Sequence, residues 1–151
     1  MTSSAVPARW VAAAQEQLVA GDTAAAASLC QAILQIDSTQ PEALMMAGAL
    51  CLAQERVAEA EAFLEQGALA HPLRLEFHLA LSRLRLQVER PADAVEPLEN
   101  CVLIQPENPQ HRATLAGLYQ ARLFAIFSLR SKRALLACRN YDCLRHALLK
   151  E

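Results

Sequence analysis

The sequence predicts an all-α fold, a stack of antiparallel helix pairs, on three observations. The chain aligns on itself at an offset of 34 residues. Within each 34-residue unit, apolar residues recur at spacings of three and four, the signature of helices with one buried face. Glycine is rare, four in 151 residues, and aromatics make up only 5%, so the core must come from Ala, Leu and Val in closely packed helices.

The units follow in order. Gly21-Asp22 falls on Glu55-Arg56 and Glu89-Arg90; Leu18 falls on Leu52 and Leu86; Ala26 falls on Ala60 and Ala94. Cys30 aligns with Leu64 and Leu98, and Ser38 with Pro72 and Pro106. This gives units 7–40, 41–74 and 75–108, with a fourth beginning at Pro109 and residues 1–6 left as a disordered start. Each unit reads as two helices around a short polar turn. In the second, Leu44, Ala47, Gly48 and Cys51 mark the first helix, and Ala60, Phe63, Leu64 and Gly67 the second. Asp22 is placed to cap its helix. Pro7, Pro41, Pro91 and Pro109 sit where a proline opens a helix, its missing N–H costing nothing there. Pro72 and Pro106 mark the turns between units. Pro97 falls inside a second helix and should kink it or move its start. Small residues at Ala14, Gly48, Ser82 and Ala116 on first helices, and at Ala26, Ala60 and Ala94 on second helices, allow close approach. One pair cannot bury its apolar face alone, so neighbours must stack.

Composition limits the rest. With 54% hydrophobic and 20% charged residues the chain is expected to fold as one domain. The longest stretch without a polar side chain, Ala43–Ala53, is eleven residues. A membrane span needs about 20, so no integral membrane contact is expected. The start "MTSSAVPARWVAAAQ" has no basic stretch before a long apolar core, which reads as no secretory signal and a cytoplasmic location. Cys30, Cys51 and Cys101, three of an odd five, lie at apolar-face positions and read as buried thiols in a reducing compartment.

Period and pattern together resemble the tetratricopeptide-repeat family, whose signature is Trp-x2-Leu-Gly-x2-Tyr, then Ala-x3-Phe, then Pro. The first unit has Trp10-x2-Ala13-Ala14-x2-Gln17, Ala26-x3-Cys30 and Ser38. The second has Leu44-x2-Ala47-Gly48-x2-Cys51, Ala60-x3-Leu64 and Pro72. The third has His78-x2-Leu81-Ser82-x2-Arg85, Ala94-x3-Leu98 and Pro106; the fourth begins Arg112-x2-Leu115-Ala116-x2-Tyr119. No unit is complete, and most aromatic positions are replaced.

The resemblance implies a right-handed superhelix whose first helices line a concave groove for a peptide or helix of a partner protein. The implied groove residues are Val11, Gln15, Leu18 and Val19; Glu42, Met45, Ala49 and Leu52; Glu76, Leu79, Arg83 and Leu86; and Gln110, Ala113 and Gly117. Val11, Met45 and Leu79 form one apolar row, and Leu18, Leu52 and Leu86 another. Such a lining suits an apolar or amphipathic segment; the alternative reading makes both rows inter-helix core. Some members of the family clamp a chaperone's C-terminal carboxylate with Lys, Asn and Arg. The matching places here hold Val11, Gln15, Met46, Glu76 and Ala80, none of them a cation.

Residues 109–151 differ. They hold eight basic and two acidic residues, a net +6, against −8 for residues 1–108. Leu115, Tyr119, Leu123, Phe127 and Leu135 lie on a stripe that Ser131 interrupts, so a long helix or two is expected from 110 to about 138, then a break at Asn140 and a short helix ending near Lys150. The blandest reading is a partial fourth repeat with basic capping helices. The alternatives are a second contact surface carried by Arg130, Lys132 and Arg133, meeting an acidic partner, another copy's acidic body or a membrane surface, and the start of a linker to a further domain. The stretch "FSLRSKRALLACRNYD" is similar to segments joining repeat arrays to methyltransferase domains in bacterial proteins.

No phosphate loop, zinc-protease helix or nucleophile elbow is present. Cys138-x4-Cys143-x2-His146 lacks zinc spacing and a fourth ligand. Glu59, Glu61 and Glu65 read as a solvated face, and His78 as a partly packed residue at a helix start. No cofactor, metal or nucleic acid is expected. The sequence therefore points to a non-catalytic adaptor, scaffold or chaperone-like module, of a size and layout resembling small three-repeat chaperones of bacterial secretion systems. The alternatives are the N-terminal repeat module of a larger enzyme and a homo-oligomer held by basic tail on acidic body.

Overall fold

The computed structural model describes residues 6–127. Backbone contacts divide the chain into two compact units, Met1–Asn108 and Pro109–Glu151. In the first, six helices follow one another: α1 (Ala8–Ala20), α2 (Thr23–Ile36), α3 (Pro41–Ala53), α4 (Val57–Ala70), α5 (Leu75–Gln87) and α6 (Val95–Ile104). They pack as the pairs α1/α2, α3/α4 and α5/α6, with α2 against α3 and α4 against α5 joining one pair to the next.

Small residues set the spacing of the pairs. Ala14, Gly48 and Ser82 on the first helices are buried, as are Ala26 and Ala60 on the second helices and Ala94 at the N-cap of α6. A Cβ on Gly48 would meet the Leu64 side chain at 3.3 Å. Around these contacts lie two apolar clusters. One gathers Cys30, Ile33, Met46 and Leu50 with Trp10 and Leu29 at its edge; the other gathers Leu44, Leu64, Phe77, Leu81 and Leu84.

The turn inside each pair has the same construction. Gly21, Glu55 and Glu89 occupy the left-handed region, at φ 84°, 59° and 58°. Behind them Asp22, Arg56 and Arg90 donate N–H bonds to Gln17, Cys51 and Arg85 at 3.0, 2.9 and 2.8 Å, the long bond of a Schellman cap. Asp22 Oδ1 also accepts from the Ala25 N–H at 3.0 Å, capping α2 as expected. Between pairs, the end of α4 is tied to the preceding turn. Gln66 donates to the Ser38 carbonyl at 2.7 Å, His71 Nε2 to the Thr39 carbonyl at 2.6 Å, and Arg74 to Glu42 at 3.0 Å.

Pro91 does not open a helix. Residues 91–94 form turns, and α6 begins at Val95. The cause is Pro97. In a helix running from 91 it would forfeit the bond to the Asp93 carbonyl and clash with it, costing about 3 kcal/mol. Starting at Val95 puts Pro97 in the first turn, where an N–H has no helical partner to lose. The Asp93 carbonyl accepts instead from the Arg85 guanidinium at 3.0 Å.

In the second unit, residues 109–127 are helical, beginning at Pro109. Leu115 and Leu118 are half-buried there. Ala116, expected at a close-packed position, is exposed instead, because no second helix of its own repeat lies against it among the described residues. The second contact surface at Arg130, Lys132 and Arg133, the break at Asn140 and the cysteine–histidine cluster lie outside the described residues.

Candidate functional site

The first helices α1, α3 and α5 carry the nine residues assigned to the groove. Val11, Leu18, Met45, Leu79 and Leu86 are half-buried; Gln15, Ala49, Leu52 and Arg83 are exposed. Val11 and Leu18 lean on the first apolar cluster and Met45 on the second. None of the nine is fully buried, so each row leaves apolar surface uncovered while its inner edge supports the core. An open depression on α1 is lined by Ala12, Gln15, Glu16 and Val19, the last 89% exposed.

A different side of the repeats holds features that the sequence hid. Glu61 and Glu65 do not lie on a solvated face. The Arg85 guanidinium donates to Glu61 at 2.8 Å and to Glu65, and Arg90 donates to Glu61 at 2.8 Å and to Asp93 at 2.7 Å. The Arg85 and Glu61 side chains are only 12% and 14% exposed. Burial pulls the Glu61 carboxyl upward, yet the hydrogen bonds from Arg85 and Arg90 outweigh it and hold its pKa below the ordinary value. Glu59, the third of the set, pairs with Arg56 at the edge of its own turn. The missed signal was Arg85, a cation at an apolar-face position of its helix. His78 is buried, at 6% exposure, with Nε2 donating to the Pro72 carbonyl at 2.9 Å.

Two clefts open between successive second helices. One, between α2 and α4 over α3, has a volume of about 110 Å³. The next, between α4 and α6 over α5, has about 360 Å³. Cys30, Cys51 and Cys101 are buried free thiols, and burial raises the pKa of each. Among the described residues no group of three His, Cys, Asp or Glu side chains could hold a metal ion, and no helix is long and apolar enough to cross a membrane.

Residues 18–84 match the family model described as tetratricopeptide repeat. No curated protein matches the sequence. Solved structures do. The Yersinia enterocolitica type III secretion chaperone SycD, in complex with a peptide of the translocator YopD, superposes with a TM-score of 0.66 at 17% identity, over 76% of this chain and 92% of that one. MamA gives 0.65 at 14% identity, over 75% and 66%. The first tetratricopeptide repeat domain of Spaghetti (RPAP3), bound to the HSP90 peptide SRMEEVD, gives 0.63 at 13% identity, over 76% and 93%. At such identities the likeness is one of fold, an all-α solenoid of helix pairs.

Proposed function

We propose, from the match of residues 18–84 to the tetratricopeptide repeat, that this chain is a non-catalytic protein-interaction module. Its α1, α3 and α5 face takes an apolar or amphipathic segment of a partner protein, with Val11, Met45 and Leu79 in one row and Leu18, Leu52 and Leu86 in the other. The observation that carries this reading is that five residues of those rows are half-buried and the sixth, Leu52, is exposed. A fully buried row has nothing left to offer a ligand, and these side chains keep apolar area in reach while the core fixes their positions. Met45 adds a side chain that repacks readily against different shapes. Gln15, Ala49 and Arg83, all exposed, give the face polar and small positions between the apolar rows. The fold is shared with a secretion chaperone holding a translocator peptide and with a domain holding an HSP90 peptide, which supports peptide capture as the class of function.

The test is affinity capture from a lysate of the source organism, comparing the wild-type chain with a Met45→Glu, Leu79→Glu variant of unchanged helicity. A partner lost only with the variant supports the face; a partner held equally by both refutes it.

A second reading, self-association through the second unit, is favoured by Leu123, Phe124 and Phe127. They are 55%, 77% and 62% exposed on the 109–127 helix, next to a basic sequence that contrasts with acidic residues 1–108. Sedimentation at low and high salt tests it, since attraction between opposite charges weakens with ionic strength. A monomer at low salt rules it out.

A further inference from the structure

The two clefts between successive second helices occupy the same place in the repeat. Their linings share five positions at an offset of 34: Gln31 and Glu65, Leu34 and Ala68, Ala47 and Leu81, Cys51 and Arg85, Phe63 and Pro97. In the first cleft Leu34 and Phe63 fill the space. In the second their places are taken by Ala68 and Pro97, and α6 starts late. The volume rises from about 110 to about 360 Å³, into the range of ligand-binding cavities.

The chemistry of the larger cleft is mixed. Its apolar wall consists of Ala68, Leu69, Leu81 and Pro97, and Leu69 is 84% exposed. Arg85 lends no free cation, because its guanidinium is engaged by Glu61, Glu65 and the Asp93 carbonyl. Glu96, on the first turn of α6, is exposed and has no partner among the described residues. The Glu65 side chain is 48% exposed beside it in the lining. The rim is therefore acidic, within a stretch of chain, residues 1–108, of net charge −8. This charge favours a cationic ligand over an anionic one.

We propose that the α4–α5–α6 cleft is a second peptide-binding site, which takes an aliphatic side chain next to a lysine or arginine. The aliphatic group lies against Ala68, Leu81 and Pro97, and the cation meets Glu96 and the free edge of Glu65. His78, Leu81 and Arg85 point α5 into this cleft, whereas Leu79, Arg83 and Leu86 belong to its other side. The site is thus independent of the α1, α3 and α5 face.

The probe is a blocked hexapeptide with a central Leu-Lys pair in a Gly/Ser background, titrated into the ¹⁵N-labelled full chain and followed by NMR. Three variants go with it. Ala68→Leu restores the residue that fills the smaller cleft; Glu96→Lys, on the surface, reverses the rim; Met45→Glu with Leu79→Glu alters the other face. The expected result is saturable shifts at α4 and α6 residues, with affinity lowered about tenfold by Ala68→Leu and by Glu96→Lys. A Leu-Glu peptide should bind the wild type more weakly than it binds Glu96→Lys, and the double variant should bind like wild type. The proposal is overturned by an absence of shifts at millimolar peptide, by indifference to both cleft variants, or by loss of binding only in the double variant. That last result would place the peptide on the α1, α3 and α5 face.

Discussion

The ring of Phe77 lies on the bare backbone of Gly67, so close that a Cβ there would fall 2.0 Å from Cε1. Phe77 is wholly buried and belongs to the second apolar cluster, so the ring has nowhere to retreat. Gly67→Ala should therefore destabilise, although alanine is the better helix former by about 1 kcal/mol. Overpacking of a closed core costs typically about 1–3 kcal/mol, and this contact belongs at the upper end. Urea unfolding measures it. Phe77→Leu should relieve the clash, so the double variant should lose less than the two single losses combined. Additive losses would mean that the ring and Gly67 do not meet.

The three left-handed caps differ in one respect. Gly21 takes φ 84° without strain, whereas Glu55 and Glu89 hold φ near 59° with side chains attached. A residue with a Cβ in that region costs about 1–2 kcal/mol relative to its relaxed conformation. Glu55→Gly and Glu89→Gly should each raise stability by up to about 1 kcal/mol, since the flexibility that glycine adds to the unfolded chain offsets part of the relief. Gly21→Ala should lower it. Thermal midpoints of the three variants, measured at one pH, decide the signs.

Arg85 and Glu61 give the acid side of the stability curve. The folded pKa of Glu61 lies below its ordinary 4.5. A depressed carboxyl contributes stability in full above the unfolded value, and that contribution is lost as pH falls through the lower folded value. The gap in stability between wild type and Glu61→Gln should be open at neutral pH and close as pH falls through the lowered folded value. Arg85→Ala should cost about 2 kcal/mol at neutral pH, because it leaves the little-exposed Glu61 carboxylate with Arg90 alone and takes the donor from the Asp93 carbonyl. Unfolding in urea across pH 3–7 tests both. A gap that persists unchanged to the lowest pH would remove Glu61 from the account.

Period, prolines and small residues made the fold legible, because each reports a backbone requirement that repeats every 34 residues. Gly21, Glu55 and Glu89 fall at one place in the repeat, and all three take the same left-handed turn. The departures came from single residues acting across elements. Pro97 moved the start of α6 and so left Pro91 in a turn, and Arg85 turned Glu61 and Glu65 from surface charges into ion-pair partners. Neither effect has a periodic signature, since both depend on which helix lies opposite. The larger cleft was invisible for the same reason: it arises from what Ala68 and Pro97 lack relative to Leu34 and Phe63.

The cysteines offer a probe of how the first unit opens. Cys101 is wholly buried, and burial pushes its pKa up to about 11. Only the thiolate alkylates, so at pH 8 about one Cys101 in a thousand is in reactive form even before access is considered. Cys30, at 1% exposure, is similarly closed off. Cys51 retains 7% exposure beside the smaller cleft, and although burial raises its pKa, the nearby Arg56 acts against that shift. Iodoacetamide labelling at pH 8, mapped by mass spectrometry, should therefore modify Cys51 before Cys30 and Cys101. The last two should respond to urea in parallel with global unfolding, because both need the helix pairs to separate. Cys101 labelling as fast as a free thiol in native buffer would show that the α5/α6 pair, with its shortened second helix, opens on its own. The larger cleft would then be a transient feature.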